Sequence, residues 1–480
     1  MRLFLIFIVS WCVSNFYFAQ TNNYYFGNLH AHTGFSDGNK DSVTSGVSKP
    51  DGAYNYAKQS SNFDFLGISE HNHYSNNNNP GFRVQSYQIG LNMADQANQD
   101  GTFLALFGME YGVSSNYNGH VVIYGFNQLI GWETNLSGQV GANYDIFNAK
   151  TDYHGLFTKV KNNPNAFAYL AHPNFDDYST NGSQATALAY APYNPAYDSA
   201  IVGMPLRSGN AFSTFTDYSD YSTSGAYFFT YYKKLLYQGY HLGIGYDHDN
   251  HYTNFGRSNG GRLAIIAPSL TRSNLMLAMK NMHFYGTDDS NAEIEFSTNG
   301  NIMGSILSDN FYPTFNVIHN DPDGEQADTI KIWRGYSNSG GLWAEIVRFN
   351  KGSNTMTYQD TSIKPNIEYY YFAEIKQADG QWIVTSPIWY KGIGALGLTE
   401  RNNESTFRYF PNPASKSLSF SLRDNLEFQI TISDITGRKV YENNFSGKDF
   451  VIDVSALTPG AYQLSLKSLN VNVSKKLIIE

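Results

Sequence analysis

Apolar residues in the first 290 positions come in short runs separated by long polar stretches. The runs are rich in β-branched and aromatic residues and are bounded by Gly, Asn, Asp or Pro. They predict strands over Phe63–Ser69, Phe103–Met109, His120–Phe126, Ala166–Ala171, Ala200–Met204, Leu242–Gly245 and Leu263–Ala267. Between several of them the apolar spacing shifts to the helical period, which predicts helices over Gly52–Gln59, Ile146–Lys161, Ala226–Gln238 and Ser273–Asn281. Strands alternating with helices imply parallel βα units, hence an α/β barrel or a doubly wound sheet. Two intervening segments, Ser75–Pro80 and Asp176–Asp198, are rich in Asn, Tyr and Ser and have the character of functional or mobile loops.

Beyond residue 295 the helical period disappears. Short strands are predicted over Glu293–Phe296, Thr314–His319, Thr329–Trp333, Trp343–Asn350, Tyr369–Gln377 and Trp382–Thr385, with turn signals such as Asp321-Pro322-Asp323-Gly324 between them. This is the spacing of a small β-sandwich. A Gly-rich stretch and a polar linker then lead to a second all-β unit with strands predicted over Ser417–Leu422, Glu427–Asp434, Lys439–Phe445, Phe450–Val454 and Tyr462–Leu466. The expected organisation is a leader over 1–19, a first domain over 20–295, a β-sandwich over 296–392, a linker over 393–405 and a terminal β domain over 406–480.

Composition narrows the function classes. The 480 residues carry 32 Lys and Arg against 41 Asp and Glu, a net charge of −9, so the basic footprint of a DNA-binding protein is absent. The first segment, MRLFLIFIVSWCVSNFYFAQ, has an early Arg2, an apolar run from Leu3 to Val13 and Phe18-Ala19 before Gln20, and reads as a secretory signal cleaved after Ala19. A lipoprotein signal acylated at Cys12 is excluded by the bulky Trp11 before it. Because Cys12 is the single cysteine, the mature chain has none and makes no disulfide. No later stretch has the ~18 consecutive apolar residues of a membrane helix, so no membrane span is expected.

Histidines concentrate in the first domain: of 12, ten precede residue 252. They occur in ordered groups: Leu29-His30-Ala31-His32-Thr33 with Phe35-Ser36-Asp37-Gly38, then Ser69-Glu70-His71-Asn72, Gly108-Met109-Glu110, Gly119-His120, Ala171-His172-Pro173 and Asp247-His248-Asp249-Asn250-His251. In an extended segment residues i and i+2 share a face, so His30 and His32 can ligate one ion together. Most other groups directly follow an apolar run, where strand ends converge in an α/β protein. Imidazoles mixed with carboxylates, without thiolates, suit Zn, Mn or Fe rather than a structural zinc site. One such motif alone is usually structural, but several in this order favour a metal cluster.

The ordered set LHAHTGFSDG, FDFLGISEHN, GME, GH, AHP and DNH resembles the PHP (polymerase and histidinol phosphatase) superfamily of metal-dependent phosphoesterases. The closing region GYDHDNHYTNFGRSNGGRLAIIA is most similar to its CehA/McbA branch. The resemblance spans residues 25 to about 305 and implies a distorted seven-stranded βα barrel followed by two small all-β sandwich domains. It implies two or three divalent metal ions, with His30, His32 and Asp249 on the first, Glu110 bridging to a second held by His120 and His172, and Asp37, His71 and His251 on a third. Asp247 and His248 compete with Asp249 and His251 for the closing role, the latter pair being preferred for its D-x-H spacing. Asn28 and Glu70 depart from the Asp usual at their positions, which bears on the orientation of ligands rather than on binding itself. His73 and His154 match no motif and are expected on the surface or in loops.

Ions about 3.5–4 Å apart activate a shared water and clamp both oxygens of an ester in displacement. No nucleophilic serine is then required, and no G-x-S-x-G elbow occurs. His248 is a candidate proton donor, and Arg257 and Arg262 are candidate phosphate-binding residues, with an ordinary surface or salt-bridged role as the alternative. The expected activity is hydrolysis of a small or polymeric ester, foremost a phosphate mono- or diester. A carboxyl or carbamate ester hydrolase, and a non-catalytic surface binder in which Tyr218 and Tyr221 contribute contacts, are the competing classes.

The final segment has FRYFPNPA, then ISDITGR, then LTPGAY, and closes on KKLIIE. It resembles the type A sorting domain of the type IX secretion system, although Phe410 stands where Tyr or His is usual. The resemblance implies contact with that secretion machinery and a secreted or cell-surface location reached through the periplasm.

Overall fold

The computed structural model describes residues 23–73, 82–135, 137–220, 225–397, 407–434, 438–467 and 472–480. The leader with Cys12, the loop over Ser75–Pro80, and Tyr221 lie outside the described residues. The chain divides into two compact units, the first comprising residues 1–307, 315–358 and 368–390, the second 308–314, 359–367 and 391–480.

The first unit is built on a long mixed sheet. Its strands are β1 (Asn23–Asn28), β2 (Phe65–His71), β3 (Leu104–Tyr111), β4 (Val121–Tyr124), β5 (Phe167–Leu170), β6 (Ile201–Ser208), β7 (Gly243–Asp247), β8 (Arg262–Ala267) and β9 (Phe284–Thr287). The later strands are β10 (Glu293–Thr298), β11 (Thr314–Asn320), β12 (Ala327–Tyr336), β13 (Glu345–Lys351), β14 (Glu368–Gln377) and β15 (Trp382–Thr385). The hydrogen-bonded order is β14-β15-β9-β8-β1-β2-β3-β4-β5-β6-β7, with β12 joined to β14 and β13 to β12, while β10 and β11 pair in a smaller sheet. The five principal helices are α1 (Pro50–Ala57), α2 (Val84–Ala97), α3 (Tyr153–Lys161), α4 (Gly225–Gln238) and α5 (Arg272–Lys280).

Local chemistry accounts for these elements. Every residue of β3 is buried, which is why it reads as one apolar run rather than an alternating one. Pro50 opens α1, where its missing N–H costs nothing. Asp152 and Thr271 cap α3 and α5 by accepting from the N–H groups of Gly155 and Asn274. Ala53, Tyr54 and Ala57 form the buried stripe of α1, and the Tyr54 hydroxyl donates to the Leu106 carbonyl at 2.6 Å, tying the helix to β3.

All seven strands expected in the first domain are present, but their arrangement corrects the expected fold. Strand makes up 41% and helix 16%, so this is not a seven-stranded βα barrel. β1/β2, β2/β3, β5/β6 and β6/β7 are parallel, whereas β3/β4, β4/β5, β1/β8 and β8/β9 are antiparallel. Only residues 112–120 join β3 to β4, which is shorter than the dozen or so residues of a parallel crossover, so β4 must return beside β3. Strand β1 and helix α2 lie where no element was expected, and the expected helix over Ile146–Lys161 begins only at Tyr153.

The middle strands are likewise not a sandwich of their own. β15 pairs with β9 and carries the main sheet onward into β14 and β12. Phe229 and Tyr232 of α4 stack edge-on against Phe372, and Phe229 also against Trp382, within a single core.

The second unit contains its own antiparallel sheet. The strands are β16 (Phe407–Phe410), β17 (Ser417–Asp434), β18 (Lys439–Asp453), β19 (Gly460–Lys467) and β20 (Asn472–Ile479), ordered β16-β17-β19-β20 with β18 on β17. Phe428, Ile430 and Ile432 alternate inward along β17 and meet Leu464, Leu466, Leu477 and Ile479 in a separate core.

Candidate metal centre

The sheet brings nine polar side chains to one place. His30 and His32 lie just past β1, His71 ends β2, Glu110 lies near the end of β3, and His120 and His172 flank β4 and β5. Asp249 and His251 follow β7, and Asp37 comes from the turn after His32. The β2/β3 register sets His71 directly opposite Glu110. Two loops are sewn together by backbone bonds: His32 donates its N–H to Asn250 O, and Asp249 donates to His30 O, both at 2.9 Å. Gly38 is required here, because a Cβ would lie 2.2 Å from the His32 carbonyl carbon and oxygen.

Glu110 is the hub. Its Oε1 lies 3.0 Å from His30 Nε2, 3.0 Å from His120 Nδ1 and 3.2 Å from His172 Nε2. Its Oε2 lies 2.9 Å from His71 Nδ1 and 3.4 Å from His32 Nε2. Asp249 Oδ1 is 3.3 Å from His30 Nε2 and 3.2 Å from His32 Nε2. Asp37 Oδ1 is 3.4 Å from His71 Nε2 and 3.2 Å from His251 Nε2. Four donor groups result, each with atoms within 4.8 Å of one another: His30, His32 and Asp249; His30, Glu110 and His172; His71, Glu110 and His120; and His32, Asp37, His71 and His251.

The donor set fits divalent cations. Glu110 Oε2, His71 Nδ1 and Asp37 Oδ1 are buried atoms without a hydrogen-bond partner, although other donors lie around them. His30 Nε2 and His32 Nε2 approach to 3.4 Å. Lone pairs aimed at one another in a buried site cost free energy unless a positive charge lies between them. Burial alone would raise the Glu110 carboxyl, but the imidazoles of His120, His30 and His71 outweigh it and hold the group well below the usual range. Burial, with His251 and His71 beside it, pushes His32 down to about 3, so it presents a neutral ring with a free lone pair. His172 and Asp249 adopt positive φ values, 28° and 52°, a conformation uncommon for non-glycine residues.

A surrounding layer orients these groups. Asp247 Oδ2 lies 3.2 Å from His30 Nδ1, so Asp247 fixes His30 from behind rather than competing with Asp249 for the cluster. Asn28 accepts from the N–H of both His30 and His248. Glu70 accepts from Thr33 and Ser36, and burial raises its carboxyl to about 7 despite those bonds. Asn28 and Glu70 therefore hold the ligand loops, consistent with positions that orient ligands.

Three expected roles are corrected. Arg262 is fully buried, and its guanidinium donates to the carbonyls of Asn62, Asn259, Gly261, Ser61 and Gly256 over the face of Phe63. It has no donor left for phosphate. Arg257 donates to Ser60 Oγ at 3.1 Å and stacks over Tyr56, and it does not line the cavity. His248 is buried, with Nε2 2.7 Å from Gly261 O, and burial with Arg262 nearby pushes it down to about 3. A neutral ring facing away from the cavity is no proton donor.

His73, expected on the surface or in a loop, follows β2 outside any regular element and lines the cavity beside His71 and Trp132. Its proximity to His71 in the chain was the available signal. His154 is exposed, as expected. The cavity holds about 360 Å³ and is also lined by Val113, Ser114, Ala211 and Phe212. A second cavity of about 610 Å³, sharing Ser114, His120 and His172, is lined by Asn174, Phe175, Gln184, Tyr190 and Tyr227. Lys40 sits at the rim, 3.8 Å from Asp37 Oδ2 and over the Phe212 ring.

Comparison with known proteins identifies one part of the chain. Residues 408–480 match the secretion system C-terminal sorting domain family. The chain is accordingly handled by type IX secretion machinery and is secreted or held at the cell surface. Among the described residues no helix is long and apolar enough to cross a membrane.

The chain is also 27% identical over 170 residues to an endo-acting ulvan lyase of Formosa agariphila, a match covering 34% of this chain and 30% of that relative. Solved structures with partial likeness include the chicken CNTN1 FN1–FN3 domains, at 9% identity, 39% and 65% coverage of the two chains and a TM-score of 0.16. Clostridium thermocellum CbhA fibronectin(III)-like modules match at 9% identity, 38% and 94% coverage and a TM-score of 0.14. The Streptomyces avermitilis α-L-rhamnosidase in complex with L-rhamnose matches at 13% identity, 38% and 24% coverage and a TM-score of 0.17. None of these likenesses reaches the level at which folds are shared.

Proposed function

We propose that this protein is an exported metal-dependent hydrolase that cleaves an ester, with a phosphate ester as the leading substrate class. One observation carries the reading: nine imidazole and carboxylate side chains cluster together, seven of them lining one cavity, with buried donor atoms that lack hydrogen-bond partners. His30, His32, Asp37, His71, Glu110, His120, His172, Asp249 and His251 would hold two or three ions of Zn, Mn or Fe. Such ions, when bound, supply an activated water at neutral pH and a positive site for the ester oxygens.

The chain's own residues do the rest. Glu110 spreads its charge over two donor groups and sets their separation. Asp247 holds His30 in one ring orientation, and Asn28 fixes the His30 backbone. Lys40 at the rim offers a cation to an incoming anionic substrate. Because Arg257 and Arg262 are engaged elsewhere, recognition of a phosphate group falls to the cluster and to Lys40.

A second reading, action on a polysaccharide or on an ester borne by one, is favoured by the aromatic and amide lining of the adjoining cavity at Tyr190, Tyr227, Asn174 and Gln184. The likeness to an ulvan lyase points the same way. The test is a screen of the mature chain, loaded in turn with Zn, Mn or Fe, against phosphomonoesters, phosphodiesters, carboxyl esters and acidic polysaccharides. Chelator-sensitive turnover of a phosphate ester supports the leading reading. Turnover of carboxyl esters alone, or metal-independent cleavage of a polysaccharide, overturns it.

A further inference from the structure

The cavity of about 610 Å³ beside the imidazole site has a chemistry of its own. It shares Ser114, His120 and His172 with the metal cavity, so whatever fills it lies directly against the cluster. Its wall combines three kinds of group. Asn174 and Gln184 supply side-chain amides, and Asp176 and Asp177 supply carboxylates. Tyr190 and Tyr227, 45% and 42% exposed, supply aromatic surface open to solvent. Among the described residues no lysine or arginine lines this cavity. Lys40 belongs instead to the metal side, 3.8 Å from Asp37 Oδ2.

The wall is held in shape from behind. Ser179 donates its N–H to Tyr117 O at 3.0 Å, joining the loop after β5 to the loop between β3 and β4. Gln184 Nε2 donates to Asp176 Oδ1 at 2.7 Å, and the Asn174 N–H donates to Asp177 Oδ2 at 2.7 Å. The Phe175 ring backs both tyrosines, 6.2 Å from Tyr190 and 5.4 Å from Tyr227 between centroids, and the Phe175 N–H donates to the Tyr227 hydroxyl at 2.9 Å. Groups fixed in this way lose little freedom when a ligand arrives. Amides and carboxylates bond hydroxyl groups in pairs, and a flat aromatic face takes the C–H face of a sugar ring. A carboxylated or sulfated sugar would instead meet two carboxylates with no counter-charge, and that repulsion selects against it. The volume lies within the roughly 300–1,000 Å³ of small-molecule sites, which suits a short oligosaccharide.

We propose that this cavity is the subsite for an uncharged sugar, the alcohol part of an ester whose acid group sits at the imidazole cluster. The placing of the acid group rests on the hydrolase reading, while the sugar subsite rests on the cavity itself. Hydrolysis breaks the bond between the acid group and the sugar oxygen. Water gives its hydroxyl to the acid group and its proton to the sugar oxygen, so the sugar leaves as a free alcohol and no other reactant is needed.

The test measures binding apart from turnover. Neutral trisaccharides of glucose, xylose, mannose and galactose, and the anionic trigalacturonate, are titrated by calorimetry into the full mature chain with its metals in place. At least one neutral trisaccharide should bind with a Kd of about 1 mM or tighter, and trigalacturonate at least about tenfold more weakly. Y190A, at an exposed ring, should weaken the neutral sugar about tenfold, and circular dichroism checks that the variant is folded. F349A, at a ring on β13 that is 52% exposed, should leave binding unchanged. Absence of binding by all four neutral sugars overturns the subsite, as does tighter binding of trigalacturonate or undiminished binding in folded Y190A. Loss of binding in F349A would place the sugar on β13 and likewise overturn it. The phosphate and acetate esters of the sugar that binds are then offered as substrates. Turnover supports both readings, whereas binding lost in Y190A without turnover of either ester supports the subsite and overturns the hydrolase reading.

Discussion

The two donor clusters of the first unit are built on opposite principles. The imidazole cluster gathers nine side chains from strand ends across β1 to β7 and mixes nitrogen with oxygen. The acidic cluster, Asp289 after β9 with Asp321 and Glu325 between β11 and β12, draws a few oxygens from turns and offers no cation of its own. In the first, neutral rings such as His32 supply lone pairs, and a central carboxylate balances the charge. In the second, the Gln377 amide nitrogen donates to Asp321 and Glu325. The difference teaches that proximity of carboxylates alone does not make a metal site: what counts is which lone pairs are left facing one another.

The most disruptive way to separate the clusters is to release the loop that carries Asp249 and His251. Arg262→Ala removes the guanidinium that ties Gly256, Asn259 and Gly261 to Ser61 and Asn62, and leaves five carbonyls to be satisfied otherwise. A loss of about 3–5 kcal/mol in unfolding free energy is expected by denaturant titration, with KM for a phosphate ester unchanged in the folded fraction. A raised KM with full stability would return Arg262 to a substrate-binding role.

Glu110→Gln keeps the shape of the hub and removes its charge. Metal content by elemental analysis should fall and turnover should drop by about 100-fold or more. Unchanged metal content would show that Glu110 joins no two donor groups. Asp247→Asn is milder, because it alters only the partner of His30 Nδ1. A loss of about 10–100-fold in metal affinity is expected by competition with a chelator.

The smallest effect tests a region remote from both clusters. His241 lies between Asp198, at 2.8 Å, and Glu368, at 3.1 Å, and these carboxylates outweigh burial to raise it to about 9. A raised histidine contributes stability that is complete below its ordinary value of about 6.5 and is lost as pH climbs through 9. Wild-type stability should therefore fall by about 1–2 kcal/mol over that window, the figure being reduced for partial exposure of the pair, and H241N should flatten the profile. Metal content should not change.

The imidazole cluster was legible because most of its ligands directly follow an apolar run or sit at i, i+2 spacing. The sheet was less so. Strands buried on both faces, such as β3, carry no mark of direction, and the antiparallel turn at β4 follows from the short connection after Tyr111 rather than from any residue pattern. Arg262 was misread because its partners Ser61 and Asn62 lie some two hundred positions away. The acidic cluster escaped notice for a related reason: Asp289, Asp321 and Gln377 come from separate turns and strand ends, and the Asp321-Pro322-Asp323-Gly324 signal announces only a turn. Pattern reveals what each segment is, while long-range pairing decides what it meets.

Arg262 also sets how the protein meets its surroundings. Its positive charge is met by carbonyl dipoles instead of a carboxylate, and the side chain is fully screened from solvent. Dissolved ions weaken exposed charge pairs as ionic strength rises, but they do not reach a buried guanidinium held by neutral groups. The loop that positions Asp249 and His251 is thus anchored by an interaction insensitive to salinity, a useful property for a chain released from the regulated interior of the cell into a medium whose salt content it does not control.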